Sequence, residues 1–254
     1  MSEAEKTEAE QEPDEAEAAS EQRPAEPFFN MPAVVVSLIA VCAAIHVVRT
    51  HVLTADQDFW VIVRFAFVPI RYSGGYALDA YAAISPLSYS VLHGGYAHLV
   101  VNMIWLAAFG SPLANRIGTA RFLWFWAVTA LAAVLLHFVL HHDEAVPLVG
   151  ASGAISGMMG AAARFGFRID RRSGQAAFAG EVLPVAAVFR SRAAVTFLAV
   201  WMVVNLVTGL GFGDMGGGAG IAWEAHIGGF LAGFAGIGLF DRRIPPAAPT
   251  APSP

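Results

Sequence analysis

The sequence predicts an all-α, polytopic membrane protein folded as a bundle of six transmembrane helices. Of its 254 residues, 56% are hydrophobic and only 14% are charged, whereas about 25% of the residues in a soluble domain are charged. The mean hydropathy is +0.57. A helix needs about 20 apolar residues to cross the hydrocarbon core of a bilayer. Six segments approach that length: residues 33–53, about 97–113, about 122–140, about 151–167, about 194–210 and about 222–240.

Both ends of the chain are predicted to be disordered. Residues 1–29 hold ten carboxylates against Lys6 and Arg23, and such an acidic segment has little apolar surface to bury. This segment lacks the basic start and apolar core of a signal peptide. Residues 242–254 are rich in proline and are also expected to be disordered. The six-span domain is therefore predicted to occupy residues 30–241.

The placement of arginine predicts that both termini, including the acidic tail, are cytoplasmic. With the N-terminus inside, nine loop arginines fall on the cytoplasmic side and three on the outside, as the positive-inside rule requires. The external loop at about 54–96 is rich in aromatic residues, which suit the outer membrane interface. The loop at 173–192 is predicted to be cytoplasmic, and no catalytic use is expected of it.

Polar residues on three different spans are predicted to lie at one depth. At ~1.5 Å per helical residue, Ser152 lies roughly 24 Å, His226 roughly 22 Å and His98 roughly 25 Å above the cytoplasmic surface. Asn102 follows His98 by one turn on the same helix face. Polar groups in hydrocarbon need partners or water. Each of these residues alone fits an interhelical hydrogen bond, but the four together indicate a polar pocket.

Ser152 and His226 are the minimum pair for nucleophilic acyl transfer, because a serine hydroxyl is weak until an imidazole accepts its proton. Ser152 is expected at a helix N-terminus, where unpaired N–H groups would stabilise an oxyanion. Small residues at four-residue spacing predict close contact between the fourth and sixth spans. These residues are Ser152, Ser156 and Gly160 on one span, and Ala225, Gly229 and Gly233 on the other.

Three motifs resemble those of the rhomboid intramembrane serine proteases. They are "HGGYAHLVVN" (93–102), "GASGAISG" (150–157) and "AHIGGFLAGF" (225–234). The motifs stand in that family's order on predicted spans two, four and six, and the resemblance covers about residues 30–240. In many family members an aromatic residue lies four positions after the serine, where this chain has Ser156. The resemblance implies a six-span, rhomboid-like protease domain.

The resemblance also implies a role for each matched residue. Ser152 would be the nucleophile and His226 the general base and acid, without a third carboxylate. The side chains of His98 and Asn102, with the backbone N–H of Ser152, would form the oxyanion hole.

The implied reaction is hydrolysis of a peptide bond through an acyl-enzyme, with Gly150 and Gly153 supporting the nucleophile. The substrates would be single-span or polytopic membrane proteins, cleaved within or beside a transmembrane helix. The resemblance implies no metal ion, no other cofactor and no nucleic-acid partner. It implies a multi-pass protein of a bilayer, and the compact six-span form indicates a bacterial inner membrane.

Two other functions are considered. One is a proteolytically inactive rhomboid-like protein that binds client transmembrane helices, although the intact Ser152 and His226 argue against it. The other is a small transporter or channel. That function would require charged residues facing a pore, and the spans offer few beyond Glu224 and Arg164.

The remaining polar residues are interpreted as structural. His137 is expected in the core or at the membrane interface, and Asn205 is expected to form an interhelical hydrogen bond. Glu224 precedes His226 by two residues, and such positions point to different helix faces. Three further side chains would be able to hold a metal ion, but an exposed external turn is the favoured interpretation: His141, His142 and Asp143.

Overall fold

The apolar segments form helices in residues 31–172, 174–207 and 222–241, which this computed structural model describes. The predictions for the tails at 1–29 and 242–254 lie outside these residues. In chain order the helices are α1 (Ala33–His51), α2 (Ala55–Phe65), α3 (Ala80–Ser88), α4 (Tyr96–Trp105), α5 (Ser111–Ile117), α6 (Thr119–His141), α7 (Ser152–Arg164), α8 (Val185–Val188), α9 (Arg192–Val207) and α10 (Trp223–Phe240).

Within the described residues, three helical segments are long and apolar enough to cross a membrane. They are α1, the segment Tyr96–Ile117 and α6. Tyr96–Ile117 consists of α4 and α5 joined by a π-helical turn at Leu106–Gly110. Helix α9 is apolar but shorter, and α7 has 13 residues. At ~1.5 Å per residue, α7 extends through only part of a ~30 Å hydrocarbon core.

Glycines bring α7 and α10 into direct backbone contact. A methyl group on Gly229 would overlap the carbonyl group of Gly153, and one on Gly233 would overlap that of Gly157. Only glycine allows two helices to approach so closely. The predicted contact between the fourth and sixth spans is therefore confirmed.

The contact row on α7 differs in part from the predicted row. Gly153 and Gly157 face α10 where Ser152 and Ser156 had been expected. Gly160 of the predicted row does contact α10, since a methyl group there would lie 2.4 Å from the Phe230 carbonyl oxygen. The other side of the same glycines meets α6, since a methyl group on Gly153 would lie 2.5 Å from the Ala133 Cβ. The glycines must therefore occupy the row that faces two helices at once. Ser152 lies beside this interface rather than within it.

Helix α10 also packs against α6 on its neighbouring face. A methyl group on Gly228 would lie 2.6 Å from the Ala132 carbonyl oxygen. Adjacent glycines at 228 and 229 thus allow α10 to fit between α6 and α7. Large apolar side chains of α6 point away from this core, with Trp124 70% and Leu135 61% exposed. Exposed apolar surface of this kind suits contact with lipid.

The external loop predicted at 54–96 contains α2, α3 and two 3₁₀ turns, Pro69–Tyr72 and Tyr89–Val91. Helix α2 exposes Phe59 and Trp60, which suit a membrane interface. Asp79 caps α3 by accepting a hydrogen bond from the Ala82 N–H at 2.9 Å. That bond, with the nearby Arg71 guanidinium, holds the pKa of Asp79 below its usual value.

A small β-hairpin is the main departure from an all-helical fold. Strands β1 (Ile169–Asp170) and β2 (Ala177–Phe178) pair antiparallel. Their two-residue length gives no alternating pattern that the sequence analysis was able to detect.

Candidate active site

Ser152 is the first residue of α7, as predicted, and follows a glycine that turns the chain into the helix. Gly150 has φ +128°, a backbone conformation that residues other than glycine rarely adopt. Its N–H donates to the Tyr89 carbonyl at 3.0 Å. The Tyr89 hydroxyl in turn donates to the Ala130 carbonyl of α6 at 2.8 Å. These bonds anchor the loop that presents Ser152.

His98 and Ser152 border the same small space beside Gly150. A methyl group added to Gly150 would lie 2.8 Å from His98 Nε2 and 3.5 Å from Ser152 Oγ. The absence of a side chain at position 150 therefore keeps this space clear. The Gly94 N–H donates to His98 Nδ1 at 3.5 Å. A neutral imidazole that accepts at Nδ1 carries its proton on Nε2, so a donor faces the space next to the serine.

Asn102 lies one turn beyond His98 on α4, also as predicted. Its side chain is buried, and its amide nitrogen donates to the His98 carbonyl at 3.0 Å. An amide group has two donor hydrogens, so this bond uses only one of them. His93 packs edge-on against His98, with ring centroids 5.3 Å apart. The orientation of His98 is thus restricted by its neighbours.

His226 is half-buried on α10, and a hydrogen bond to α9 holds its ring. His226 Nδ1 lies 2.6 Å from Asn205 Oδ1. The Asn205 amide nitrogen donates to the Trp223 carbonyl at 3.1 Å, which identifies the other amide atom as the oxygen. Because that oxygen only accepts hydrogen bonds, Nδ1 carries the imidazole proton. The lone pair of His226 is then on Nε2, where a general base requires it.

The glycine contact brings the ends of α7 and α10 that carry Ser152 and His226 together. Gly153 contacts Gly229. Ser152 immediately precedes Gly153, and His226 lies one turn before Gly229. Across the described ranges, no hydrogen bond joins Ser152 to His226. Such bonds are often long before substrate binds, so the contact between the two helices is compatible with proton transfer.

Sequence reasoning underestimated Asn205, which was interpreted only as an interhelical contact. Asn205 follows Trp201 by one turn on α9, and Trp201 stacks on Phe230 of α10 at 4.5 Å between ring centroids. The two contacts share one helix face, and together they hold His226 against α9. Glu224 does point away from His226, as its spacing predicted, and contacts α6.

Comparisons with known proteins match most of the described residues to one protein family. The Rhomboid domain family model matches residues 82–242. Rhomboid protease GlpG from Klebsiella pneumoniae is 23% identical over 199 residues, which cover 78% of this chain and 60% of that protein. Rhomboid protease GluP from Bacillus subtilis is 28% identical over 61% of this chain and 27% of its own length.

A plant relative carries a less specific name. RHOMBOID-like protein 5 from Arabidopsis thaliana is 29% identical over 144 residues, covering 56% of this chain and 39% of that protein. The chain therefore spans at most about 60% of the length of these curated relatives. The matched region includes the serine, histidine and asparagine positions described above.

Proposed function

Because the chain belongs to the rhomboid family and is an integral membrane protein, we propose that it is an intramembrane serine endopeptidase. It hydrolyses a peptide bond within or beside a transmembrane helix of a single-span or polytopic membrane protein. The observation that carries this proposal is the backbone contact of α7 with α10, because the first turns of these two helices carry Ser152 and His226. The distant relatives named as proteases support the same reaction.

In the proposed mechanism, Ser152 Oγ attacks the carbonyl carbon of the scissile bond while His226 Nε2 accepts the hydroxyl proton. The protonated imidazole then donates that proton to the leaving amine, which produces an acyl-enzyme. A water molecule, deprotonated by the same Nε2, attacks the ester and releases the carboxylic acid. Asn205 accepts a hydrogen bond from Nδ1–H throughout, so the ring keeps the tautomer that each step needs.

The negative charge on the tetrahedral oxygen is stabilised by donors around Gly150. His98 Nε2–H faces this space, and the Ser152 N–H belongs to the first turn of α7, where helical N–H groups lack intrahelical partners. The remaining amide hydrogen of Asn102 completes the oxyanion hole. Gly153 supports the site by allowing α10 to approach, and Gly150 by leaving room for the substrate carbonyl.

The membrane arrangement proposed here has six spans, with both termini in the cytoplasm of a bacterial cell. Short helices such as α7 start inside the bilayer, which is tolerated where they line a cavity. The serine then lies below the outer headgroups, and water reaches it through that cavity. The lipid bilayer and membrane-protein substrates are the partners of this arrangement.

A fluorophosphonate probe tests the nucleophile directly. We expect it to label the purified protein covalently in detergent, because only an activated serine reacts readily with it. The Ser152→Ala variant should remain unlabelled, as measured by in-gel fluorescence and peptide mass spectrometry. The matched control is Ser156→Ala, which removes a buried hydroxyl four residues later and should leave labelling unchanged.

Two results would contradict the protease proposal. Labelling that persists in Ser152→Ala would assign the nucleophile to another residue. Complete lack of labelling and of reporter cleavage in the wild-type protein would favour an inactive rhomboid-like protein that binds client helices.

A second experiment tests the role of Asn205 as a positioning residue. Asn205→Ala should lower kcat for a transmembrane reporter by roughly 10- to 100-fold with little change in KM, because a lost hydrogen bond of about 1–3 kcal/mol leaves the imidazole misoriented. Steady-state cleavage measures the two constants separately. The control is Asn115→Ala, which also removes an amide that donates to a backbone carbonyl, that of Ala176 at 2.9 Å. Equal effects of both variants, or a change in KM alone, would exclude the positioning role.

A further inference from the structure

A second cluster of polar side chains lies between α6 and α10, apart from the reacting groups. His137 and His141 are four residues apart on α6, so they share one helix face. Glu224, near the start of α10, contacts both: its Oε1 lies 2.8 Å from His137 Nδ1 and 3.2 Å from His141 Nε2. One candidate ligand atom from each residue lies within 4.8 Å of the others.

The burial of this cluster leaves it open on one side only. The side chains of His137 and Glu224 are 8% and 4% exposed, whereas that of His141 is 31% exposed. Because His141 is partly exposed, an ion is able to reach the other two side chains from its side of the cluster. The buried carboxylate of Glu224 requires compensation by a positive charge or a metal ion.

A second carboxylate fixes the orientation of the outer histidine. His141 Nδ1 lies 2.7 Å from Glu144 Oε1, so Nδ1–H donates to that carboxylate. The lone pair of the neutral ring is then on Nε2, the atom that faces Glu224. Histidines that bind metals usually donate their other ring N–H to a carboxylate or carbonyl group in this way.

We propose that His137, His141 and Glu224 form a binding site for a divalent transition-metal ion, with Zn²⁺ the ion that fits best. Two imidazole nitrogens and one carboxylate oxygen are a common zinc donor group. Tetrahedral bonds of ~2.0–2.1 Å separate donor atoms by about 3.3 Å. The present separations from Glu224 are close to that value, so only small side-chain movements are needed. The ion replaces the proton that His137 Nδ1 shares with Glu224, and this proton is released to solvent.

The bound ion would join α6 to the first turn of α10, two residues before His226. Positions two apart on a helix face in different directions, and Glu224 contacts α6 while His226 contacts α9. The ion therefore has no contact with the reacting atoms and acts as a structural link. This site differs from the exposed turn considered in the sequence, since His142 and Asp143 are not among its ligands.

Metal binding is tested on the full chain, purified in detergent without a histidine tag and freed of metal with a chelator. We expect one equivalent of Zn²⁺ to bind, and Co²⁺ to produce the visible absorption of a low-symmetry site with nitrogen and oxygen ligands. Zn²⁺ should also raise the Tm. His141→Ala should weaken binding by at least about 100-fold, and Glu144→Gln by about 10- to 100-fold. His142→Ala is the matched control and should bind as the wild-type protein does.

Three results would overturn the site. They are lack of saturable equimolar binding, binding that survives both His141→Ala and Glu224→Gln, and binding that is lost in His226→Ala but kept in His141→Ala. His141 is partly exposed, so its replacement is expected to leave a folded protein, which the Tm without metal will verify. The readout is binding rather than cleavage, and its outcome is therefore independent of the proposed protease activity.

Discussion

Replacing His226 with alanine should reduce cleavage of a membrane-spanning reporter by at least about 10⁴-fold, which brings it to the background rate. The serine hydroxyl is a poor nucleophile without a base, and the proposed base is His226 on α10. The Oδ1 atom of Asn205 lies 2.6 Å from His226 Nδ1 and orients the imidazole. The variant therefore loses an imidazole that is already oriented by α9. Cleavage of a reporter by purified enzyme in liposomes, followed by gel electrophoresis, measures the effect.

A double variant tests whether Ser152 and His226 act together. If Ser152 and His226 act as one unit, Ser152→Ala/His226→Ala should be no slower than either single variant, because losing one member already removes the function of the other. His142→Ala serves as the control for loss of an imidazole. A His226→Ala enzyme that keeps more than about a tenth of wild-type activity, with an unchanged Tm, would exclude His226 as the base.

Much of the arrangement around Ser152 follows from local sequence. A polar residue at the start of a glycine-rich segment predicts a helix N-terminus, and α7 does begin at Ser152. The four-residue spacing of small residues predicted the contact of α7 with α10. The row predicted on α7 was only partly correct, because "GASGAISG" contains small residues in two adjacent rows. The partner helices decide that register, and they are distant in the sequence.

The contacts of Asn205 and Glu224 were harder to predict, because each depends on a tertiary partner. Asn205 and His226 are on different helices, and no spacing rule connects them. His137 and Glu224 are 87 residues apart. The four-residue spacing of His137 and His141 is visible in the sequence, but the sequence analysis considered only His141, His142 and Asp143 as possible ligands and favoured an exposed turn. A pattern along one helix shows which side chains share a face, but not what that face meets.

Gly229→Ala should have the second large effect, because its added methyl group has no space. That methyl would overlap the Gly153 carbonyl group, which is backbone and unable to rotate away. We expect a loss of at least about 2 kcal/mol in the free energy of unfolding. Below the Tm, the cleavage rate should still fall by about 10²-fold, since a shift of about 1 Å between α7 and α10 displaces His226 from Ser152.

Gly236→Ala is the matched control on the same helix, seven residues later. A methyl group there meets no atom within 4 Å, and replacing a helical glycine with alanine is expected to stabilise the helix by about 0.5–1 kcal/mol. The Tm in detergent should therefore fall for Gly229→Ala and rise slightly for Gly236→Ala, and reporter cleavage should fall only for Gly229→Ala. If Gly229→Ala were as stable and as active as Gly236→Ala, the distance between the two helices would not control catalysis. The close approach would then be a packing feature alone, and glycine spacing would no longer support the proposed pairing of Ser152 with His226.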